Sequence, residues 1–510
     1  MRTIIASSAL ACASASVATA FFLLAQGCGG GKPGPGGFGS LGTPATSADD
    51  GGAGGPAGFP GCTGPGGNGG TLGTIPSASA SSPLPTSDAG SLTSVALCSG
   101  GVTTTVSGTI YDPAGKNPLY DVAVYVPKSK PAGLASGASC DSCSALYTGE
   151  PVAAALTDTA GGFTMQNVPD GSNIPLVIQI GKWRRQMTIP SVVPCKDNPL
   201  PDKSLTLPKN RGEGDLPNIA ISTGGADQLE CLLRRVGVDA VEYMPGAPGP
   251  GRIHVFRGAD NFHGAHKKGS PDTMPPSPTS PMGLWATNAD IMQFDIVLLS
   301  CEGAETVGMN QQVLFDYAAA GGRIFASHFH YSWFNTGPFG TANLATWTPG
   351  VNAIGDITAD VLTTLPNGQP FPKGTAMKQW LGNVGALTAG LLPIVQAKHN
   401  SDVSLANAPS TPWIVPLPSD VPGETQYFSF DTPLQAPADH KCGRVVFSDL
   451  HVTGAGNDYP TGSPITPGGC ELVNLSPQEK ALEFMLFDLS ACLNPVSLPP
   501  MAPVVNRPPK

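Results

Sequence analysis

Asp295-Ile296-Val297-Leu298-Leu299-Ser300-Cys301-Glu302, a stretch from Asn310 to Ala320, then Gly321-Gly322-Arg323-Ile324-Phe325-Ala326-Ser327-His328-Phe329-His330 read as strand, helix, turn and strand. Short apolar runs bounded by turn residues suit strands buried on both faces, and a helical return between them joins parallel neighbours. The expected elements are a strand over Phe294 to Ser300, a helix over Asn310 to Ala320 and a strand over Arg323 to Ser327. The alternation extends outward. Upstream lie a strand at Asn218 to Ser222, a helix at Asp227 to Val236 opened by Thr223-Gly224-Gly225, and a strand at Arg252 to Phe256. Downstream lie strands at Gln426 to Phe430 and Arg444 to Ser448. A last helix starts at Ser476-Pro477-Gln478-Glu479, a capping box with Pro at its first position.

In an open parallel sheet, ligands bind beyond the carboxyl ends of the strands. Three predicted strands end there in reactive side chains: Cys301 with Glu302, His328 with His330, and Asp449 with His451. One reading makes Cys301 a thiolate nucleophile, His328 or His451 its base, and Asp449 or Glu302 the orienting carboxylate. Its structural counterpart is a Cys301 that is packed or disulfide-bonded. Another reading joins His328, His330 and His451 with Asp449 around a divalent metal, zinc or iron, since alternate residues of a strand point the same way. Its counterpart is histidines in hydrogen-bonded packing, with no cofactor at all. Gly224-Gly225 fits either an anion at a helix N-terminus or a tight turn. His263 and His266 read as part of a solvated loop, and His254, His399 and His440 carry no pattern.

The order Asp295-Ile296-Val297-Leu298-Leu299, Tyr317 followed by Gly321-Gly322, and a strand ending at His328 resembles the class I glutamine amidotransferase-like superfamily, within it the ThuA-like branch. Gly443-Arg444-Val445-Val446-Phe447-Ser448-Asp449-Leu450-His451 resembles its late strand. The resemblance implies a flavodoxin-like α/β domain with a mainly parallel sheet over 215–495. In that superfamily the nucleophilic Cys sits in an elbow between strand and helix. Here the elbow holds His328 and the thiol lies one strand earlier, so glutaminase chemistry is not expected.

From Val102 the pattern is of period two. Val102 to Ile110, Asp121 to Pro127, Val152 to Asp158, Phe163 to Val168, Ile174 to Ile180 and Lys182 to Ile189 are rich in β-branched residues and separated by Gly and Pro turns, which predicts an antiparallel sandwich. Val106-Ser107-Gly108-Thr109-Ile110-Tyr111-Asp112, Val122-Ala123-Val124-Tyr125-Val126 and Thr157-Asp158-Thr159-Ala160-Gly161-Gly162-Phe163 resemble the carboxypeptidase regulatory-like, transthyretin-like module. That resemblance spans 98–195 and implies an accessory domain without catalytic residues. Lys182, Arg184 and Arg185 around Trp183 read as the solvated, charge-protected face of an edge strand.

The rest is compartment. Arg2 precedes an apolar stretch from Ile4 to Ala25, so residues 1–27 read as a secretory signal. Leu24-Ala25-Gln26-Gly27-Cys28 resembles a lipobox, which implies a lipid on Cys28; a plainly cleaved signal is the alternative. Residues 28–97, mostly Gly, Pro, Ser, Thr and Ala with few large apolar residues, cannot bury enough surface to order and read as a tether, and 496–510 read as a disordered tail. The 12 cysteines, in an exported chain, point to disulfides, and Cys140 with Cys143 to a structural bridge rather than a zinc or redox pair. With 13% charged residues and a net charge of -10, no broad cationic face exists for nucleic acid. The expectation is therefore a multidomain, envelope-anchored protein, at the outer membrane or cell surface. It binds a carbohydrate or another small polar ligand, or else is a hydrolase or isomerase working through Cys301 or the histidines.

Overall fold

Alternating and continuous apolar runs sort the chain into two kinds of sheet. The computed structural model describes residues 95–140, 146–224, 226–247, 249–256, 258, 283–306, 310–417, 423–452 and 470–505. The expected signal peptide, the tether before residue 95, the lipidation position Cys28, and Cys143, His263 and His266 lie outside them.

The first part is a sandwich. Its strands are β1 (Thr105–Tyr111), β2 (Ala123–Pro127), β3 (Pro151–Leu156), β4 (Gly162–Gln166), β5 (Gly171–Ile180), β6 (Trp183–Val192), β7 (Asp197–Pro199) and β8 (Leu205–Thr206). One sheet runs β3-β2-β5-β6 antiparallel; the other pairs β1 antiparallel with β4 and parallel with β7 and β8. These last two short strands carry the sandwich past residue 195. The turn before β4 follows from its side chains: Asp158 Oδ1 accepts from the Ala160 and Gly162 amides at 2.8 and 2.9 Å, and Gly161 supplies a φ of 73°.

The second part comprises β9 (Ile219–Ser222), α1 (Leu229–Val236), β10 (Tyr243–Pro245), β11 (Ile253–Phe256), α2 (Asn288–Met292), β12 (Ile296–Leu299), α3 (Gln311–Ala319), β13 (Arg323–Ser327), β14 (Thr346–Trp347), β15 (Ala353–Val361), α4 (Pro372–Asn383), β16 (Leu392–Lys398), β17 (Ser401–Asp402), β18 (Ser410–Leu417), β19 (Tyr427–Thr432), β20 (Gly443–Ser448) and α5 (Pro477–Ser490). Ten of these strands form one sheet in the order β10-β11-β9-β12-β13-β20-β19-β18-β15-β16. The first six are parallel and the last four antiparallel. The fold is thus a β-sandwich beside a mixed sheet with a parallel core and helices. Ile296 to Leu299 are all buried, as a strand covered on both faces requires. The α5 capping box is present, with Ser476 Oγ accepting from the Glu479 amide and Glu479 returning the bond to the Ser476 amide at 2.8 Å.

The two parts share one apolar core that runs from Val106 and Ile178 to Phe484 and Leu489. The basic run at the start of β6 belongs to this seam and not to solvent, which corrects the expectation for it. The strand is indeed an edge strand, but the second part covers it. Lys182 reaches Asp295 Oδ1 at 2.6 Å and the Gly137 carbonyl at 2.7 Å; Trp183 is fully buried, its ring 5.8 Å from that of Phe487; and Arg184 pairs with Asp215 at 2.8 Å. Gly181 must be glycine, since a Cβ there would lie 1.8 Å from the Ser490 carbonyl oxygen and φ is 53°.

Disulfides join Cys98 to Cys195, Cys140 to Cys442 and Cys231 to Cys470, and Cys492 is disulfide-bonded as well. Such bonds form and persist in oxidising compartments, which places the folded chain outside the cytoplasm. Cys140 is in a structural bridge, formed across the seam to β20's neighbourhood. Cys301 is a free, buried thiol, so the disulfide reading of it is overturned.

Also on the seam, Glu483 of α5 lies against Asp112, with Asn117 Nδ2 donating to Glu483 Oε2 at 2.7 Å. Burial, then the Asp112 charge, hold the Glu483 carboxyl far above the ordinary carboxylate range. The folded state therefore binds this proton more tightly than the unfolded chain. Its contribution is whole below the unfolded value of about 4.3 and is lost as pH rises through the folded value. Glu483→Gln, which keeps a donor and an acceptor but cannot ionise, is expected to flatten the fall of Tm with rising pH. Identical calorimetric Tm profiles for the two proteins would show that this pair is not the source.

Candidate functional site

The site begins with backbone approach. A Cβ on Gly224 would stand 2.1 Å from the Cys301 carbonyl oxygen, so a glycine is needed for the loop after β9 to lie against the end of β12. This favours the close-turn reading of that glycine. The Ala226 amide then donates to that carbonyl at 3.0 Å, which sets Asp227 at the lip. Asp227 Oδ2 accepts from Ser327 Oγ at 2.7 Å and Oδ1 from the Val452 amide at 2.8 Å, tying together the chain beyond β9, β13 and β20. The sequence pattern places Asp227 only as the first residue of a helix, which itself begins at Leu229. Its signal was its position, a carboxylate just past the end of a predicted central strand.

β9, β12, β13 and β20 are consecutive neighbours in the parallel core, with Ser222 level with Leu299 and Ser327 level with Ser448. Their carboxyl ends deliver Cys301, His328 and His451 to one place: one ligating atom from each lies within 4.8 Å of the others, and all three residues are buried. Cys301 Sγ is 3.3 Å from His328 Nδ1, and the His328 and His451 ring centroids are 5.1 Å apart. His328 Nε2 lies 3.2 Å from the Val351 carbonyl oxygen. A carbonyl only accepts, so Nε2 carries the hydrogen and the Nδ1 lone pair faces the thiol.

His328 also has a left-handed backbone, φ 42°, at the turn from β13 into the 3-10 helix His328–Trp333. For a residue with a Cβ this conformation costs on the order of 1 kcal/mol and persists only where the surroundings hold it. The same turn separates the two histidines of the His-x-His pair. Alternation along a strand cannot align them, because the strand ends at Ser327 and a 3-10 turn has three residues per turn. His330 is buried, its Nδ1 has no hydrogen-bond partner among the described residues, and it is not one of the three clustered groups. Asp449 is buried and accepts from the Asn400 amide at 3.0 Å and Ser401 Oγ at 3.4 Å. Glu302 accepts from Thr306 Oγ1.

Protonation follows from burial. It pushes the Cys301 thiol up to about 12, with the Asp227 and Glu302 charges adding to the rise. Burial, then the Lys398 charge, bring the His328 imidazole down to about 3, and burial brings His330 down to about 4. Burial raises Asp449 to about 7. At neutral pH the pair is a thiol donating to a neutral imidazole. Such a pair offers a nitrogen lone pair and a sulfur that ligates only once deprotonated, and no ready thiolate nucleophile.

No family model matches the chain, and no curated protein matches it. Solved structures with local likeness include two interface mutants of a type II cohesin–X-dockerin complex from Acetivibrio cellulolyticus. Each is 18% identical, covering 24% and 27% of this chain and 76% and 85% of the other, at TM-scores of 0.14 and 0.15. The dioxygenase domain of a dioxygenase carbohydrate-binding protein fusion from Streptomyces sp. SirexAA-E is 19% identical over 32% of this chain and 83% of its own, at a TM-score of 0.10. These likenesses assign no family.

Proposed function

We propose that the chain is an exported binding or accessory protein of the cell envelope, held to the membrane by a lipid on Cys28 and lifted from it by the Gly/Pro/Ser tether. In this reading the sandwich is a carboxypeptidase regulatory-like accessory module. The second part is an amidotransferase-like, ThuA-like domain that holds a small polar ligand, a sugar among the candidates, at the lip of its parallel core. The observation that carries the reading is the convergence of Asp227, Cys301, His328 and His451 beyond four neighbouring strands, with the thiol and the His328 imidazole both uncharged. Groups in that state hydrogen-bond to a small polar ligand, and the imidazole nitrogen can also ligate. Their burial restricts the ligand to something small.

The left-handed His328 favours a second reading, an extracytoplasmic hydrolase or isomerase, because held backbone strain clusters at reacting centres. A thermal-shift screen of monosaccharides and other small polar compounds on the purified full chain separates the two. At a hundred times its Kd, a bound ligand stabilises by about 2.7 kcal/mol, and the shift should vanish in His451→Ala with the compound recovered unchanged. Recovery of a converted compound would support the enzyme, and a shift that survives His451→Ala would place binding elsewhere.

A further inference from the structure

We propose that the lip is a mononuclear metal site in which Cys301 Sγ, His328 Nδ1 and one ring nitrogen of His451 ligate a zinc-class divalent cation, leaving one position open. The proposal rests on the binding reading above and names the ligand of that same site.

Three observations carry it. The three ligand atoms come from three adjacent parallel strands and lie within 4.8 Å of one another. Zinc–sulfur and zinc–nitrogen bonds of about 2.3 and 2.0 Å set tetrahedral neighbours roughly 3.5 Å apart, so the widest pair need close by only about an ångström. His328 is already oriented as a ligand. Its Nε2 faces the Val351 carbonyl at 3.2 Å while Nδ1 faces Sγ at 3.3 Å, and a ring N–H on a backbone carbonyl is the usual outer partner of a metal-bound histidine. The redox context agrees as well. Seven other described cysteines are disulfide-bonded, and Cys301 is the free one among the described residues.

One thiolate with two imidazoles suits zinc better than magnesium or calcium, which prefer oxygen. Among the described residues no fourth Cys, His or carboxylate joins the group, which matches three-ligand sites whose fourth position takes water or a small polar ligand. On binding, the thiol proton leaves to solvent and the thiolate forms its bond to the cation, with no change of oxidation state. Affinity should therefore rise with pH.

The test uses the full mature chain, isolated without metal-affinity steps and analysed by elemental mass spectrometry, followed by chelation and calorimetric titration with zinc chloride. Expected is close to one equivalent of zinc, with affinity reduced beyond the roughly 10- to 100-fold typical of losing an outer-shell partner in both Cys301→Ala and His451→Ala. His440→Ala, at a surface turn, should bind as the parent does, and circular dichroism confirms that each variant is folded. Zinc binding at unchanged affinity in both site variants, or no zinc in or taken up by the parent, overturns the proposal. One equivalent of copper that outcompetes zinc with the same residue dependence overturns the zinc assignment. A metal-free parent that still shows a His451-dependent thermal shift with a small polar compound sinks this inference and leaves the binding reading standing. Absence of both sinks the two together.

Discussion

Asp488→Ala is expected to destabilise the protein by about 3–5 kcal/mol, because it takes from buried Lys373 its ion-pair partner and from buried Arg444 one of its two carboxylates. Asp488, on α5, receives Arg444 Nη1 from β20 at 2.7 Å on one oxygen and Lys373 Nζ from α4 on the other. Arg444 is fully buried and Lys373 nearly so; Arg444 retains Asp431, at 2.8 Å, whereas Lys373 is left with the more distant charge of Asp121. Burial alone would raise the Asp488 carboxyl, but Lys373 and Arg444 outweigh it and hold it below the ordinary range. Its contribution is thus present above the unfolded value of about 3.9 and is lost as pH falls through the lower folded value. Urea unfolding of parent and variant at pH 7 measures the loss, and the gap should narrow in strong acid. A loss under about 1 kcal/mol at pH 7 would show that the charges are solvated in a way the packing of α4, α5 and β20 does not allow.

Trp183→Ala should cost a comparable 3–5 kcal/mol, the usual range for emptying a large buried ring site. The indole sits at the start of β6 with no exposed surface, edge-on to Phe487 of α5, so its loss opens a cavity in the core that the sandwich shares with the α/β part. Trp183→Phe separates packing from polarity. Among the described residues the indole N–H has no hydrogen-bond partner, so a smaller ring without it should cost clearly less than Trp183→Ala. Calorimetry should show both parts melting in one transition, displaced downward in the Ala variant. Two separate transitions in the parent protein would contradict a shared core.

The parallel core was legible because its signal is local. Ile296 to Leu299 and Arg323 to Ser327 are short apolar runs between Gly-rich turns, and the Ser476 box announces α5 from four residues. Of the antiparallel half only β19, expected over Gln426 to Phe430, was legible. β15 exposes most of its first residues, β18 carries two prolines in Ser410–Leu417, and both pair through irregular registers, so neither shows clean alternation. The basic run of β6 misled because charge usually means solvent; only the packing of α5 and Asp295 against that edge shows where Lys182 and Trp183 go. At the site, the strand ends named Cys301, His328 and His451. Asp227 and the Val351 carbonyl needed the fold, since one follows a glycine approach after β9 and the other belongs to a loop far along the chain.

The convergence at the lip is tested most directly by the state of one sulfur. Alkylating the unreduced, folded chain with a small thiol reagent, and a urea-unfolded sample in parallel, then mapping peptides by mass spectrometry, reports whether Cys301 is free and sealed. The packing of Cys301 against His328 predicts an intact, unlabelled Cys301 peptide from the folded sample and full labelling once unfolded. Cys301 recovered in a disulfide, or labelled in the folded chain as fast as a model peptide, would contradict it.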